Sequence, residues 1–336
     1  MPGRLAALCL GLLALASCGP EEARVPEAGG AAPGFRVALL TPGSIADGGW
    51  NQGAYDGLRR IEAELGAKVS HVETRTPAAF EEGFRDYASG GYELVFGHGF
   101  EYQEAAAKVA AEFPKTIFVT TSGNTVRPNV APMVFELEQA TYLCGLLAGR
   151  ASRSGVVGMI GGIKLPSIES TFLAFRAGVL EGRPDAELRE SWIGNFDDGA
   201  AAREAAKALL EEGADFLIHQ ANDAGRGVFQ AVAEHAAGGA PVYAFGTNRD
   251  QSAMAPGVVM ASATLDLPGA FVTVARRVKE GSFEARPLRL GMKEGVVAFV
   301  WNPALEARVP EAVRAELRET EGRIRSGELR VPRGDF

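Results

Sequence analysis

The sequence has little of what metal sites and disulfide scaffolds need. It holds 3 cysteines and 4 histidines in 336 residues. Cys9 and Cys18 stand at the extreme N-terminus, so Cys144 is the one thiol left in the body of the chain. That excludes an internal disulfide framework and argues for plain core packing of Cys144. His71, His98, His219 and His235 are scattered without metal-ligand spacing, so no metal and no cofactor is expected. Basic charge is also short: 34 Lys and Arg against 42 Asp and Glu, a net charge of −8. A surface of that sign repels phosphate, which argues against nucleic acid as a partner. There is no Gly-x-Ser-x-Gly elbow and no Gly-Lys-Ser/Thr loop, so the common hydrolase and nucleotide-binding signatures are missing. Gly158 to Gly162 only echoes a dinucleotide turn and reads as close packing. An enzyme is therefore not expected.

What is present is ordinary for a globular protein, with 46% hydrophobic and 23% charged residues. The length allows two lobes with separate cores. At the N-terminus Arg4 precedes an apolar run from Leu5 to Leu15, shorter than the ~20 residues of a membrane span. The run ends in Leu15-Ala16-Ser17-Cys18, which resembles a bacterial lipobox. Residues 1–17 are accordingly expected to be a lipoprotein signal peptide and Cys18 the lipidated residue. An ordinary secretory signal is the alternative. Residues 18–34, rich in Ala, Gly, Pro and Glu, read as a flexible tether.

From Phe35 onward apolar runs alternate with stretches of helical period. Phe35–Leu40, Lys68–Val72, Leu94–Phe96 and Thr116–Thr120 read as strands, with helices over Gly49–Leu65, Ala78–Tyr87 and Tyr102–Phe113 between them. A helix over Leu137–Arg150 opens a second series. Its strands are Val156–Ile160, Leu188–Ile193, Phe216–Ile218, Val242–Phe245 and Val258–Ala263. Its helices are Ile168–Leu180, Ala200–Leu210, Gly227–His235 and Ala270–Val278. This alternation predicts an α/β protein of two doubly wound parallel-sheet lobes with a hinge cleft. Ligands of such sheets bind beyond the carboxyl ends of the strands.

The loops at those ends are polar and carry aromatics. After the first strand comes Asp47-Gly48-Gly49-Trp50-Asn51-Gln52. Trp50 can offer a flat face to a planar ligand, and Asp47 and Asn51 can bind its polar edges; alternatively Trp50 is a hydrophobic staple and Asp47 a helix cap. After the third strand Gly99-Phe100-Glu101 opens a helix. Gly194-Asn195-Phe196-Asp197-Asp198 follows Ile193, and there the carboxylates read as helix caps before acid-base groups. Asn222 and Asp223 follow the strand ending at Ile218, and Asn248 and Asp250 follow Phe245. Aromatic planes mixed with amides and carboxylates suit a neutral heteroaromatic ligand. His98 and His219 also stand near strand ends.

Taken in order and spacing, these segments resemble the basic membrane protein family of ABC-transporter substrate-binding lipoproteins, which includes purine nucleoside receptors. The resemblance runs from about Val37 to Trp301. It is carried by Asp47 to Gln52, Glu136 to Gly149, Gly158 to Gly162, Phe172 to Gly178, Gly194 to Asp198, Gly225 to Phe229, and Leu290 to Val296. It implies a type I periplasmic-binding-protein fold, with lobe one over 35–133 and later returning segments at roughly 248–300, and lobe two over 137–247. A C-terminal segment, 301–336, would pack on the lobes. It also implies that Trp50 and Phe196 sandwich a base beside Asn51, and that Glu104 stands where the family has a base-recognising Asp. The family's ribose-holding Asp and Lys align with Asn248 and Leu265, so ribose need not be part of the ligand. The expected function is capture of a purine nucleoside or free base by a monomer for delivery to an ABC permease and its ATPase. The protein would sit outside the cytoplasmic membrane on its lipid anchor. The same fold could instead receive a sugar, or an amino acid held by Arg249 and Asp250.

Overall fold

The computed structural model describes residues 34–334. The expected signal peptide 1–17, the lipidation site Cys18 and the tether up to Pro33 lie outside the described residues.

The first series runs Arg36–Thr41 (β1), Trp50–Leu65 (α1), Lys68–Glu73 (β2), Pro77–Ser89 (α2), Leu94–Gly97 (β3), Gln103–Ala110 (α3), Ile117–Thr121 (β4) and Val130–Phe135 (β5). A second follows: Glu138–Ala151 (α4), Val156–Gly161 (β6), Pro166–Gly182 (α5), Glu187–Trp192 (β7), Gly199–Glu211 (α6), Phe216–Gln220 (β8), Gly225–Ala237 (α7), Tyr243–Asn248 (β9) and Val259–Leu265 (β10). The chain closes with Leu267–Lys279 (α8), Leu288–Leu290 (β11), Val297–Trp301 (β12) and Glu311–Ser326 (α9).

The central strands are explained by their burial, while the edge strands β2 and β7 are largely half-buried or exposed. β1 (Arg-Val-Ala-Leu-Leu-Thr) is buried from its second residue on, as a central strand covered on both faces must be. On α1 the expected face, Ala54, Leu58, Ile61 and Leu65, is the buried one, and Gly66 ends the helix at φ 62° with its N–H on the Glu62 carbonyl.

The strands form two six-stranded sheets, β2-β1-β3-β4-β5-β11 and β7-β6-β8-β9-β10-β12. Pairing is parallel except at β10–β12. In both sheets the order reverses at the first strand of the lobe, β1 or β6, so each has a switch point where a ligand crevice forms. This is the type I periplasmic-binding-protein architecture. α4 and α5 press together where Gly145 and Gly149 of one meet Gly178 and Gly182 of the other. A Cβ on Gly145 would lie 2.0 Å from the Phe175 carbonyl oxygen, which explains the glycine spacing in both segments. Cys144 is buried in this core and burial pushes its thiol pKa up.

The lobe boundary differs from the expectation. Val259–Leu265 was expected in the segments returning to lobe one, yet β10 extends the second sheet beside β9. Only β11 returns to the first sheet, and β12 crosses back to pair with β10. Register decides this: Ser262 to Thr264 continues the ladder of Gly246 to Asn248. β5 was not legible because Pro132 interrupts an apolar run, which argues against a strand with a partner on each side. α9 is charged almost all round and buries only Leu317, Thr320 and Ile324. Among the described residues no helix is long and apolar enough to cross a membrane.

Candidate functional site

The two switch points face one another across one cleft. Its inner cavity, about 690 Å³ with the part open to solvent included, is lined from both lobes. Lobe one contributes Trp50 at the start of α1, Phe100 and Glu101 after β3, and Ser122 after β4. Lobe two contributes Phe196 after β7, Gln220 and Asn222 at the end of β8, and Asn248 and Leu265 at the ends of β9 and β10. A wider mouth adds Asp47, Asn51, Arg75, Asp197 and Asp223.

The indole of Trp50 is held from behind. It stacks on the His98 imidazole at 4.0 Å and 22°, and meets Phe135 edge-on at 6.0 Å. His98 Nε2 lies 3.0 Å from the Trp50 carbonyl oxygen and Nδ1 lies 3.2 Å from the Thr121 hydroxyl. A carbonyl only accepts, so Nε2 donates and Nδ1 accepts from the hydroxyl. Complete burial pushes the His98 pKa down to about 3, the bond to Trp50 opposing. His98 is thus a neutral plate beneath Trp50, buried under the cleft rather than lining it.

Opposite, Phe196 sits half-buried over Gly162, where an added Cβ would come within 2.3 Å of the ring. The turn before it is built by Asn195, whose Oδ1 accepts from the amides of Asp197 and Asp198. Asp198 caps α6 through the Ala201 amide. Asp197 instead reaches across the mouth to Arg75 at 3.3 Å. A second contact between lobes runs from Arg226 Nη2 to the Ala46 carbonyl at 3.4 Å.

Backbone strain concentrates here. Among the described residues three non-glycine residues have positive φ: Ser122 (62°), Asn222 (46°) and Asn248 (66°). All three line the inner cavity. Such conformations persist where surrounding structure holds them, and they cluster at binding sites. Two buried oxygens of cleft residues also lack a hydrogen-bond partner, Oδ1 of Asn51 and Oε2 of Glu138. A buried unpaired acceptor costs about 1–3 kcal/mol, a cost a ligand donor would remove.

The other expected residues sort as follows. Asp47 is buried and accepts from the amides of Gly49, Asn51 and Gln52 at 2.8–3.0 Å, so it is the cap of α1 as well as part of the mouth. Asp223 pairs with Arg226 at 2.6 Å. Two expectations fail. Glu104 is exposed on α3 and Asp250 is exposed after β9, where its Oδ1 accepts from the amide and hydroxyl of Ser252. Neither lines the cleft. A 3₁₀ turn over Phe100–Tyr102 precedes α3 and aims Glu101, three residues earlier than expected, into the cavity. Burial raises the Glu101 pKa. His219 lies under Gly225, outside the lining, and its pKa is pushed down to about 4 by burial, its bond to Gln251 opposing. Glu138, Gln220, Ser122 and Leu265 also line the inner cavity. Leu265 had a signal in the resemblance; Glu138 and Ser122 had none as site residues. Among the described residues no group of three or more His, Cys, Asp or Glu side chains is placed to hold a metal.

Residues 35–331 match the family model of PnrA-like ABC transporter substrate-binding proteins, Bmp. The chain belongs to the Bmp family. Among its relatives, basic membrane protein A2 of Borrelia garinii subsp. bavariensis is 26% identical over 332 residues, covering 96% of this chain and 93% of that one. A purine-binding protein of Brucella abortus is 27% identical over 298 residues, covering 88% and 82%. An ABC transporter solute-binding protein of Conexibacter woesei, solved by others, superposes with a TM-score of 0.71 at 30% identity, covering 89% of this chain and 99% of its own. As a Bmp-family member the chain is an ABC transporter substrate-binding protein. The cleft described above is where such a fold takes its ligand.

Proposed function

We propose that this Bmp-family protein captures a purine, as free base or nucleoside, between Trp50 and Phe196, and hands it to an ABC permease. The observation that carries the reading is that these two aromatics, one from each lobe, line one cavity, and that Trp50 is pre-set by His98. Stacking on an aromatic contributes about 1–3 kcal/mol per base. The polar lining fits the edges of such a ring: amides from Asn51, Asn222, Asn248 and Gln220, and the Glu101 carboxylate. Among the described residues no lysine or arginine lines the inner cavity, which favours a neutral ligand rich in hydrogen-bond donors over an anion. The purine-binding relative supports the same reading. The capture would take place outside the cytoplasmic membrane, with the domain tethered through lipid on Cys18.

Isothermal titration of the purified protein with adenine, guanine, hypoxanthine, their nucleosides, D-glucose and leucine tests this. At least one purine is expected to bind with a Kd in the micromolar range or below. Binding of glucose or leucine with no purine bound would overturn the proposal.

A further inference from the structure

Behind the cleft, at the start of α4, Glu138 is 1% exposed and lines the inner cavity. Its Oε1 accepts from the Ser170 hydroxyl at 2.5 Å and faces Arg333 Nε at 3.3 Å. Its Oε2 has no hydrogen-bond partner. Arg333 comes from the last described stretch of the chain, which leaves α9 and returns to the crossover between the lobes. The next residue, Gly334, donates its amide to the same Ser170 hydroxyl at 2.9 Å. Glu138 also lines the groove under this C-terminal stretch, so the same side chain borders both that groove and the cleft. On the cleft side the nearby positions Leu265, Phe135 and Leu137 are apolar and supply no cation.

We propose that Glu138 is a ligand-contacting residue and that Arg333 is its positioning residue. The guanidinium and Ser170 hold one carboxylate oxygen from behind. The other oxygen is thereby offered to an N–H or O–H donor of the bound molecule. A carboxylate taken out of water needs such partners on both sides to be tolerated there. The C-terminal stretch is in this way part of the binding site although it never enters the cleft. This inference rests on the proposed purine ligand, whose donors are a ring or amino N–H or, in a nucleoside, a ribose hydroxyl.

The experiment is titration of the full chain in detergent with adenine, hypoxanthine, adenosine and inosine, for wild type, Glu138→Gln, Arg333→Ala and the double variant. Loss of a hydrogen bond to a charged group corresponds to about tenfold or more in Kd, and Glu138→Gln is expected to show it. Arg333→Ala should weaken wild-type binding several-fold yet change the Glu138→Gln protein by less than about twofold, since both act through one carboxylate. A general loosening of the fold would weaken both backgrounds equally. Loss with bases as well as nucleosides assigns the donor to the ring; loss with nucleosides alone assigns it to the sugar. The inference is overturned if Glu138→Gln binds within about twofold of wild type, or if Arg333→Ala weakens both backgrounds alike. Should Glu138→Gln fail to fold, an unchanged Kd for Arg333→Ala overturns it. A wild type that binds none of the four removes the purine reading itself, a different result from a wild type that binds and a Glu138 variant that binds equally well.

Discussion

Trp50 and His98 stack at 4.0 Å, and the same imidazole accepts one proton bond and donates another that ties it to the Trp50 backbone. The ring proposed to meet the ligand is therefore oriented by a residue buried beneath it. Truncating Trp50 or Phe196 to Ala should weaken purine binding by about tenfold to a hundredfold, in line with the energy of base stacking. His98→Leu should weaken it several-fold and also destabilise the fold by roughly 1–3 kcal/mol, because the buried Thr121 hydroxyl loses its acceptor and the Trp50 carbonyl one of its donors. Titration calorimetry and urea unfolding read the two effects separately. Unaltered affinity in His98→Leu would refute the backing role.

His98 also gives the protein a pH dependence of defined sign. Its folded pKa is pushed down to about 3. An unfolded histidine titrates near pH 6.5. Between those values the unfolded chain holds a proton that the native site rejects, so stability falls as pH is lowered through this window. One such group contributes a slope of about 1.4 kcal/mol per pH unit. His219, pushed down to about 4, adds a second contribution of the same sign. Urea unfolding at pH 7 and pH 5 should show a shallower pH slope in His98→Gln than in wild type. Equal slopes would mean that His98 takes up its proton over the same pH range in the folded and unfolded chains.

Asn248 and Leu265 both line the inner cavity, at the ends of two adjacent strands. By the sequence resemblance they stand where nucleoside receptors carry a ribose-holding Asp and Lys. The double variant Asn248→Asp and Leu265→Lys is expected to gain at least about fivefold in preference for adenosine over adenine, as two hydroxyl partners return. Asp accepts the φ of 66° that Asn248 adopts. A comparison of the two Kd values before and after substitution decides; no change in their ratio would place the sugar elsewhere.

Lipid attachment at Cys18 is tested in cells. Labelled palmitate should enter the wild-type protein and be absent from Cys18→Ser, which should leave the membrane fraction. Two or more acyl chains are needed for stable anchoring, so partial release would indicate incomplete acylation. Labelling retained in the Ser variant would exclude this residue.

Most of the fold was legible because parallel strands and amphipathic helices advertise themselves locally. Leu39 and Leu40 in β1, or Leu58 and Ile61 in α1, are buried as their periodicity requires. What escaped lacks that signal: β5 carries a proline, β11 spans only Leu288–Leu290, and α9 shows a narrow apolar stripe. In the site, Trp50, Phe196, Asn222 and Asn248 followed from their place after a strand. Glu104 does not line the cavity and Glu101 does, because the 3₁₀ turn at Phe100–Tyr102 changes which side chain points inward. No local pattern distinguishes Glu101 from Glu104.

The order of elements, the two-lobed α/β plan and the polar loops at the strand ends are properties of the sequence, since each depends on hydrogen bonding and hydrophobic period within a short stretch. Which groups meet was decided by the tertiary structure. His98 lies 48 residues from the Trp50 it supports, and Arg333 lies 195 residues from Glu138. Contacts over such separations depend on how the sheets twist and where the chain crosses between lobes, and neither leaves a trace in local composition.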